Sequence, residues 1–339
     1  MRTFASLALC IVAAASARAF DSAEWHGKRE LLLREAERLQ AAYSNCVASL
    51  HEPAEDITVP VETYGDGSVK TVVAARRARF FLREGLIWAE GVVIRKFAED
   101  GAEESRIDAA SCVVDRAMKS GWAEGPARVR HGRTTFCGSG VYFSSPESYV
   151  HVSSRSEIDT TDLSFGGSVP AKPAKKGKAA AKDGSAAGAE GPAEGKSPEP
   201  PSASMAVKSG SSDIDRKAGV VLLEGDVDVV HSDGYGLTAD RVYLFLSAAS
   251  ELSRVVASGN VVLTNASRTA TCPLATYRRA KREVEMFGDG NGACARLVEA
   301  GAERRELEGR RIRFWLDTEQ VEVDGPLITV GGAGKGVVP

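Results

Sequence analysis

Apolar and polar residues alternate one for one through short runs along most of this chain. Val227 and Val229 are apolar, with Asp226 and Asp228 interleaved. The same alternation pairs Val242 with Leu244, Val261 with Leu263, Val284 with Met286, and Ile312 with Phe314. Successive strand side chains point to opposite faces, so each run predicts a β-strand with one apolar side. Polar partners such as Glu283, Glu285, Arg311 and Arg313 are expected to face water. Residues 21–50 follow a different rhythm. Leu32, Leu39 and Tyr43 recur at helical spacing among charges of both signs, predicting an amphipathic helix. It is expected to pack on the β body, because its charges are mixed rather than basic.

The strand pattern repeats on a longer scale. Trp-Ala-Glu-Gly occurs at Trp88–Gly91 and again at Trp122–Gly125, 34 residues on. Gly225-Asp226-Val227 and Gly259-Asn260-Val261 keep the same spacing. A unit of this length implies a hairpin block stacked on copies of itself, with a continuous interior. Each corner glycine fits a position needing positive φ or close backbone approach.

Composition then divides the chain. Residues 1–19 read as a secretion signal: Arg2, an apolar stretch over Phe4–Ala15, and Ala17-Arg18-Ala19 as a cleavage site. The stretch is short for a bilayer-spanning helix, and either cleavage or retention as an anchor fits it. Residues 55–165 form a first β stretch. Residues 166–212 are rich in Ala, Lys, Gly, Pro, Ser and Glu and nearly lack large apolar residues, so a disordered linker is expected. Residues 213–331 form a second β stretch, and residues 332–339 a flexible tail. The predicted class is all-β: two elongated antiparallel bodies on a tether, plus a short N-terminal helix.

Chemistry-bearing residues add little. Net charge is −3, which gives no case for nucleic-acid binding. His26, His51, His131, His151 and His231 are scattered outside metal-ligand spacings, so no metal or other cofactor is expected. Gly331–Gly336 lacks the Ser/Thr that follows the lysine of a phosphate loop. No G-x-S-x-G elbow or paired carboxylate stands out, and an enzyme is not expected. Export permits disulfides, with Cys112–Cys137 and Cys272–Cys294 as first candidates and Cys46 left over; buried free thiols are the alternative.

The second stretch resembles the OstA/LptA family of periplasmic lipopolysaccharide-transport proteins. The resemblance rests on Glu224–Val229, Leu237–Tyr243 and Ala257–Leu263. Residues 72–154 resemble a more diverged member, closer to LptC, through Ala75–Phe81, the two Trp-Ala-Glu-Gly units and Gly138–Tyr142. The resemblance implies an open, elongated β-jellyroll whose sheets form a V-shaped trough in the periplasm. It implies lipopolysaccharide as ligand, and other such domains or copies of itself as end-to-end partners. Val227, Val229, Val242, Leu244, Val261, Leu263, Val284, Met286, Ile312 and Phe314 would then contact acyl chains. A closed, filled core serving as an envelope scaffold predicts the same alternation.

Overall fold

The structure is a computed structural model. It describes residues 22–49, 51–160, 204–232, 234–247, 252–290, 292–300, 305–318, 320–325 and 327–329. The expected secretion signal, the tail and most of the linker lie outside the described residues. One helix, α1 (Ser22–Ala48), precedes a long antiparallel meander. The first β stretch holds β1 (Ala54–Thr63), β2 (Val69–Phe81), β3 (Leu86–Phe97), β4 (Glu103–Asp115), β5 (Ser120–His131), β6 (Thr134–Ser144) and β7 (Tyr149–Thr160). The second holds β8 (Met205–Ser209), β9 (Ser211–Asp215), β10 (Val220–His231), β11 (Gly236–Leu246), β12 (Leu252–Thr264) and β13 (Arg268–Arg278). It ends with β14 (Glu283–Phe287), β15 (Ala295–Glu299), β16 (Arg305–Gly309), β17 (Arg311–Trp315), β18 (Val321–Asp324) and β19 (Leu327–Thr329).

Each long strand turns a corner near its middle, where the ladder skips. The register shifts between Glu224 and Val227 in β10, and between Ser258 and Val261 in β12. Gly225 and Gly259 sit at those corners with φ of 79° and 76°, a conformation glycine adopts without a Cβ clash. Pro273 falls in the same kind of gap, between Cys272 and Leu274, where no ladder hydrogen bond is lost. Further along the corners widen into breaks, so that β14 with β15, β16 with β17, and β18 with β19 act as split strands. The two arms of each strand therefore lie in two walls that meet along the line of corners.

The Trp-Ala-Glu-Gly units mark this corner from the outside. Trp88 and Trp122 point outward beneath α1, while Ala89 and Ala123 point into the interior. Glu90 pairs with Arg76 and Arg77, and Glu124 accepts a 2.6 Å hydrogen bond from Trp122 Nε1. β3 and β5 are two rungs apart, so the 34-residue spacing is one hairpin.

The two β stretches meet in a ladder, not only through a tether. β7 pairs with both β8 and β9, and these in turn pair with β10. Thr160 and Met205 are direct cross-strand partners, so residues 161–203 connect two strand ends already side by side. This shortens the expected linker, whose last residues, 205–209 and 211–212, are strand. Ser211 and Ser212 fall in the expected linker, yet they pair with β10, and Ser212 is buried beside Asp213. Met205, Val207 and Ser209 are buried, with exposed residues between them, which gives β8 its alternation. Long connections cost little extra closure entropy, so such an insertion is tolerated between adjacent strands.

Helix α1 lies across the outer face of one wall and ties the two stretches together. Ala36, Leu39 and Cys46 pack with Leu86, Trp88, Val113, Trp122, Tyr142 and Tyr149 of the first stretch, with Leu32 and Tyr43 alongside. Trp25 packs with Val220 and Leu222 of the second. From Trp25 to Cys46 the helix runs roughly 32 Å at about 1.5 Å per residue. That matches the roughly 34 Å spanned by the rungs from β3 to β11 at about 4.8 Å each. Among the described residues no helix is long and apolar enough to cross a membrane.

Polar contacts fix the helix over the joining strand. Asp213 on β9 is fully buried and receives Arg29 Nε at 2.8 Å, His151 Nδ1 at 2.8 Å and the Tyr149 hydroxyl. Lys28 reaches Asp215 at 2.9 Å and Glu147 at 3.0 Å. Burial alone would push the Asp213 carboxyl up. The His151 contact, the Arg29 charge and the Tyr149 hydroxyl outweigh burial and hold it below its ordinary value.

Two predictions follow from this arrangement. A protease site placed between residues 165 and 200, once cut, leaves both pieces co-eluting on native size exclusion and separable in denaturant. Asp213→Ala leaves Arg29 only Glu224 and removes the acceptor of the Tyr149 hydroxyl, which costs about 1–3 kcal/mol in denaturant melts. A depressed carboxyl contributes stability above its unfolded value and loses it as pH falls through the folded one. The wild-type advantage over Asp213→Ala should therefore be full above about pH 4 and shrink below it.

Candidate functional site

The interior between the walls is apolar throughout the second stretch. Nine of the ten inward positions predicted from alternation join one core: Val227, Val229, Val242, Leu244, Val261, Met286 and Ile312 are buried, and Leu263 and Val284 pack against them. The tenth, Phe314, is 9 % exposed and lines the cavity. Their outward neighbours lie on the other face, but two are not in water. Glu283 and Glu285 are buried, Glu285 to 1 % exposure. Arginines from adjacent rungs cover it: Arg278 at 2.5 Å, Arg313 at 3.0 Å, and Arg311. Burial would push Glu285 up, but Arg311, Arg278 and Arg313 hold it below its ordinary value.

A cavity of about 130 Å³ opens in this interior. Val255, Ala257, Ala275, Tyr277, Val284, Met286 and Phe314 line it from the helix-side wall. Val229, Leu237, Leu263, Ala270 and Leu297 face them from the other wall. Both arms of β12 and β13 contribute, so the cavity lies between the walls. Its mouth is at the hairpin tips, where His231, Tyr235, Asn265 and Arg268 meet Tyr277 and Leu316. The Arg268 guanidinium lies 4.5 Å from the Phe314 ring centroid and pairs with Glu299 at 2.8 Å. Arg268 thus presents a cation at the edge of an otherwise apolar slot. Burial pushes the Tyr277 phenol up, so it stays neutral at the rim.

Five of the ten predicted residues, Val229, Leu263, Val284, Met286 and Phe314, line the cavity. Val227, Val242, Leu244, Val261 and Ile312 are packed in the solid core instead. Alternation identifies the face but not the depth, because residues nearer the corner are squeezed between converging walls. Sequence reasoning missed the small residues Ala257, Ala270 and Ala275, whose lack of volume helps make the space. Their signal was present as alanines in register with the Val/Leu positions. The rim residues Tyr235 and Asn265 sit in hairpin connections and Arg268 opens β13, where alternation carries little information.

The cysteines form no bridge: Cys46, Cys112, Cys137, Cys272 and Cys294 are all free. The ladder explains one candidate pair. Cys112 pairs with Ala123 and Cys137 with Arg128, so they stand on strands two rungs apart and offset along the strand. Two rungs alone separate them by more than the roughly 7 Å limit between bridged Cα atoms. Cys272 and Cys294 approach through the β13–β15 ladder, in which Thr271 pairs with Arg296. Cys272 is buried in the core beside the cavity and Cys294 is only half-buried. Among the described residues no group of His, Cys, Asp or Glu is placed to hold a metal ion.

The site is a mostly apolar slot in a folded antiparallel ladder. Residues 206–320 match the family model described as LptA/(LptD N-terminal domain) LPS transport protein. The second β stretch is OstA/LptA-like, and the match leaves the first stretch outside it. Among solved structures, the chain is similar to LptH, the LptA homologous periplasmic component of the lipopolysaccharide transport device from Pseudomonas aeruginosa. That similarity has 19% identity and a TM-score of 0.31, over 40% of this chain and 90% of that one. No curated protein matches the chain.

Burial pushes the Cys112 and Cys272 thiols up to about 12. At pH 8 such a thiol is ionised in only about one molecule in ten thousand. Iodoacetamide on the native protein should therefore modify Cys137 and Cys294 first, and Cys112 and Cys272 only after unfolding. Peptide mass mapping over time gives the order; early modification of Cys272 would show that the slot opens to water.

Proposed function

We propose that this protein is a non-enzymatic periplasmic component of lipopolysaccharide transport, which shelters acyl chains on their way between the two membranes. The observation that carries the reading is the apolar cavity between the walls, inside the segment that matches the LPS transport family. Acyl chains in water are unfavourable by roughly 0.8 kcal/mol per CH₂. A twelve-carbon chain therefore loses about 10 kcal/mol in water, which entry into an apolar slot offsets carbon by carbon and a headgroup contact does not. The chain needs no cofactor for this. Val229, Leu263, Val284, Met286 and Phe314 would touch the lipid. Val227, Val242, Leu244, Val261 and Ile312 would hold the walls behind them.

Partners of the same fold would add to the ladder's ends. Among the described residues β1 pairs only with β2, while β18 and β19 pair only with β17 and β16. Each end thus offers a strand edge on which another strand can build, in a partner domain or a second copy. Pro60 on β1 is tolerated because an edge strand has one side without a ladder. A secretion signal at residues 1–19, cleaved or kept as an anchor, would place the protein in the periplasm.

A photo-crosslinking amino acid tests the reading. Placed at Phe314 or Val229 in the exported protein, it should capture lipopolysaccharide in cells, at least roughly tenfold above the outward position Glu322. Equal capture at all three positions would mean surface adsorption and end the proposal.

A further inference from the structure

Resting on the lipid-sheltering reading, we infer that the slot belongs to the second β stretch alone and takes a single acyl chain, tail first. The first stretch is then a closed spacer built on the same ladder. Its interior is lined with small residues. Ala78, Ala89 and Ala123 from one wall join Ala75, Ala109 and Ala127 from the other, all buried in one core. Val92, Val129, Val141 and Val152 pack among these alanines in the same core.

Two glycines show how tightly the space is filled. Gly121 points inward, and a Cβ there would stand 2.4 Å from Cζ of the Phe143 ring. Gly138 also points inward, and a Cβ there would stand 2.2 Å from Cγ1 of Val152. Neither position has room for one methyl group, because neighbouring side chains already occupy it. An acyl chain could enter this core only by unpacking it.

The second stretch has buried alanines and a tight glycine of its own, Gly309, whose Cβ would stand 2.5 Å from Cγ1 of Val323. What sets it apart is the cavity, which is lined by no residue of β1–β7. The size of the space sets the occupant. About 130 Å³ is close to the roughly 150 Å³ of an apolar cavity that admits one benzene ring. It accepts the cross-section of one chain and not of several abreast.

The full chain is mixed with palmitic acid carrying a mid-chain diazirine, irradiated, digested and mapped by mass spectrometry. A parallel arm uses lipopolysaccharide carrying the same group. Adducts from palmitate should fall on peptides containing Val229, Ala257, Ala270, Met286 or Leu297. Ala275→Trp, checked for folding by circular dichroism and thermal melting, should lower labelling roughly tenfold. Adducts within residues 86–143 from either probe would overturn confinement to the second stretch. Adducts from lipopolysaccharide but none from palmitate would overturn the single-chain slot. No adducts from either probe would remove the lipid reading itself, and this inference with it.

Discussion

The rest of the structure depends on the backbone ladder that joins β7, the β8–β9 strand and β10. Without it the chain would be two short β bodies, each with an additional raw edge. With it, the interior runs unbroken from one stretch to the next, and only the ends of the meander are open. Backbone hydrogen bonds make such a joint indifferent to side-chain identity, so a strand as polar as Ser211–Asp215 can serve. The buried carboxylate of Asp213 then gives the joint a unique partner. Arg29, His151 and Tyr149 satisfy it only when the helix lies in one place. A buried charge with one good solution acts as a register pin.

The width of the interior follows from a second constraint. Each strand turns its corner at a bulge or glycine, which fixes where the walls meet. How far apart they stand is set by what lies between them. Alanines and valines fill the first stretch together, and in the second the same mix leaves a cavity toward the hairpin tips. One backbone plan thereby yields a filled rod at one end and a slot at the other. The helix contributes from outside, since its contact with Trp88, Trp122, Tyr142 and Tyr149 stiffens the wall over the closed part.

Much of this was legible in the chain. Alternation identified the inward face of the second stretch: nine of the ten residues read from it join the core, and Phe314 lines the cavity. The 34-residue spacing gave the hairpin. What alternation could not give was depth: Val242 and Ile312 look like Met286 and Phe314 in sequence, yet only the latter two reach the cavity. Nor could a period of two say that Glu283 and Glu285 would be buried on the outer face, because the arginines that cover Glu285 come from the two neighbouring strands, Arg278 on β13 and Arg311 and Arg313 on β17.

The sequence by itself determined strand, corner and face, because these depend on residues within one turn or one pleat of each other. The tertiary structure decided that residues 205–215 are a strand, that the helix crosses both stretches, and where the interior is hollow. Those outcomes depend on contacts between segments far apart along the chain. Local composition is silent about them, since a serine-rich run pairs as well as a valine-rich one once a ladder stands on either side.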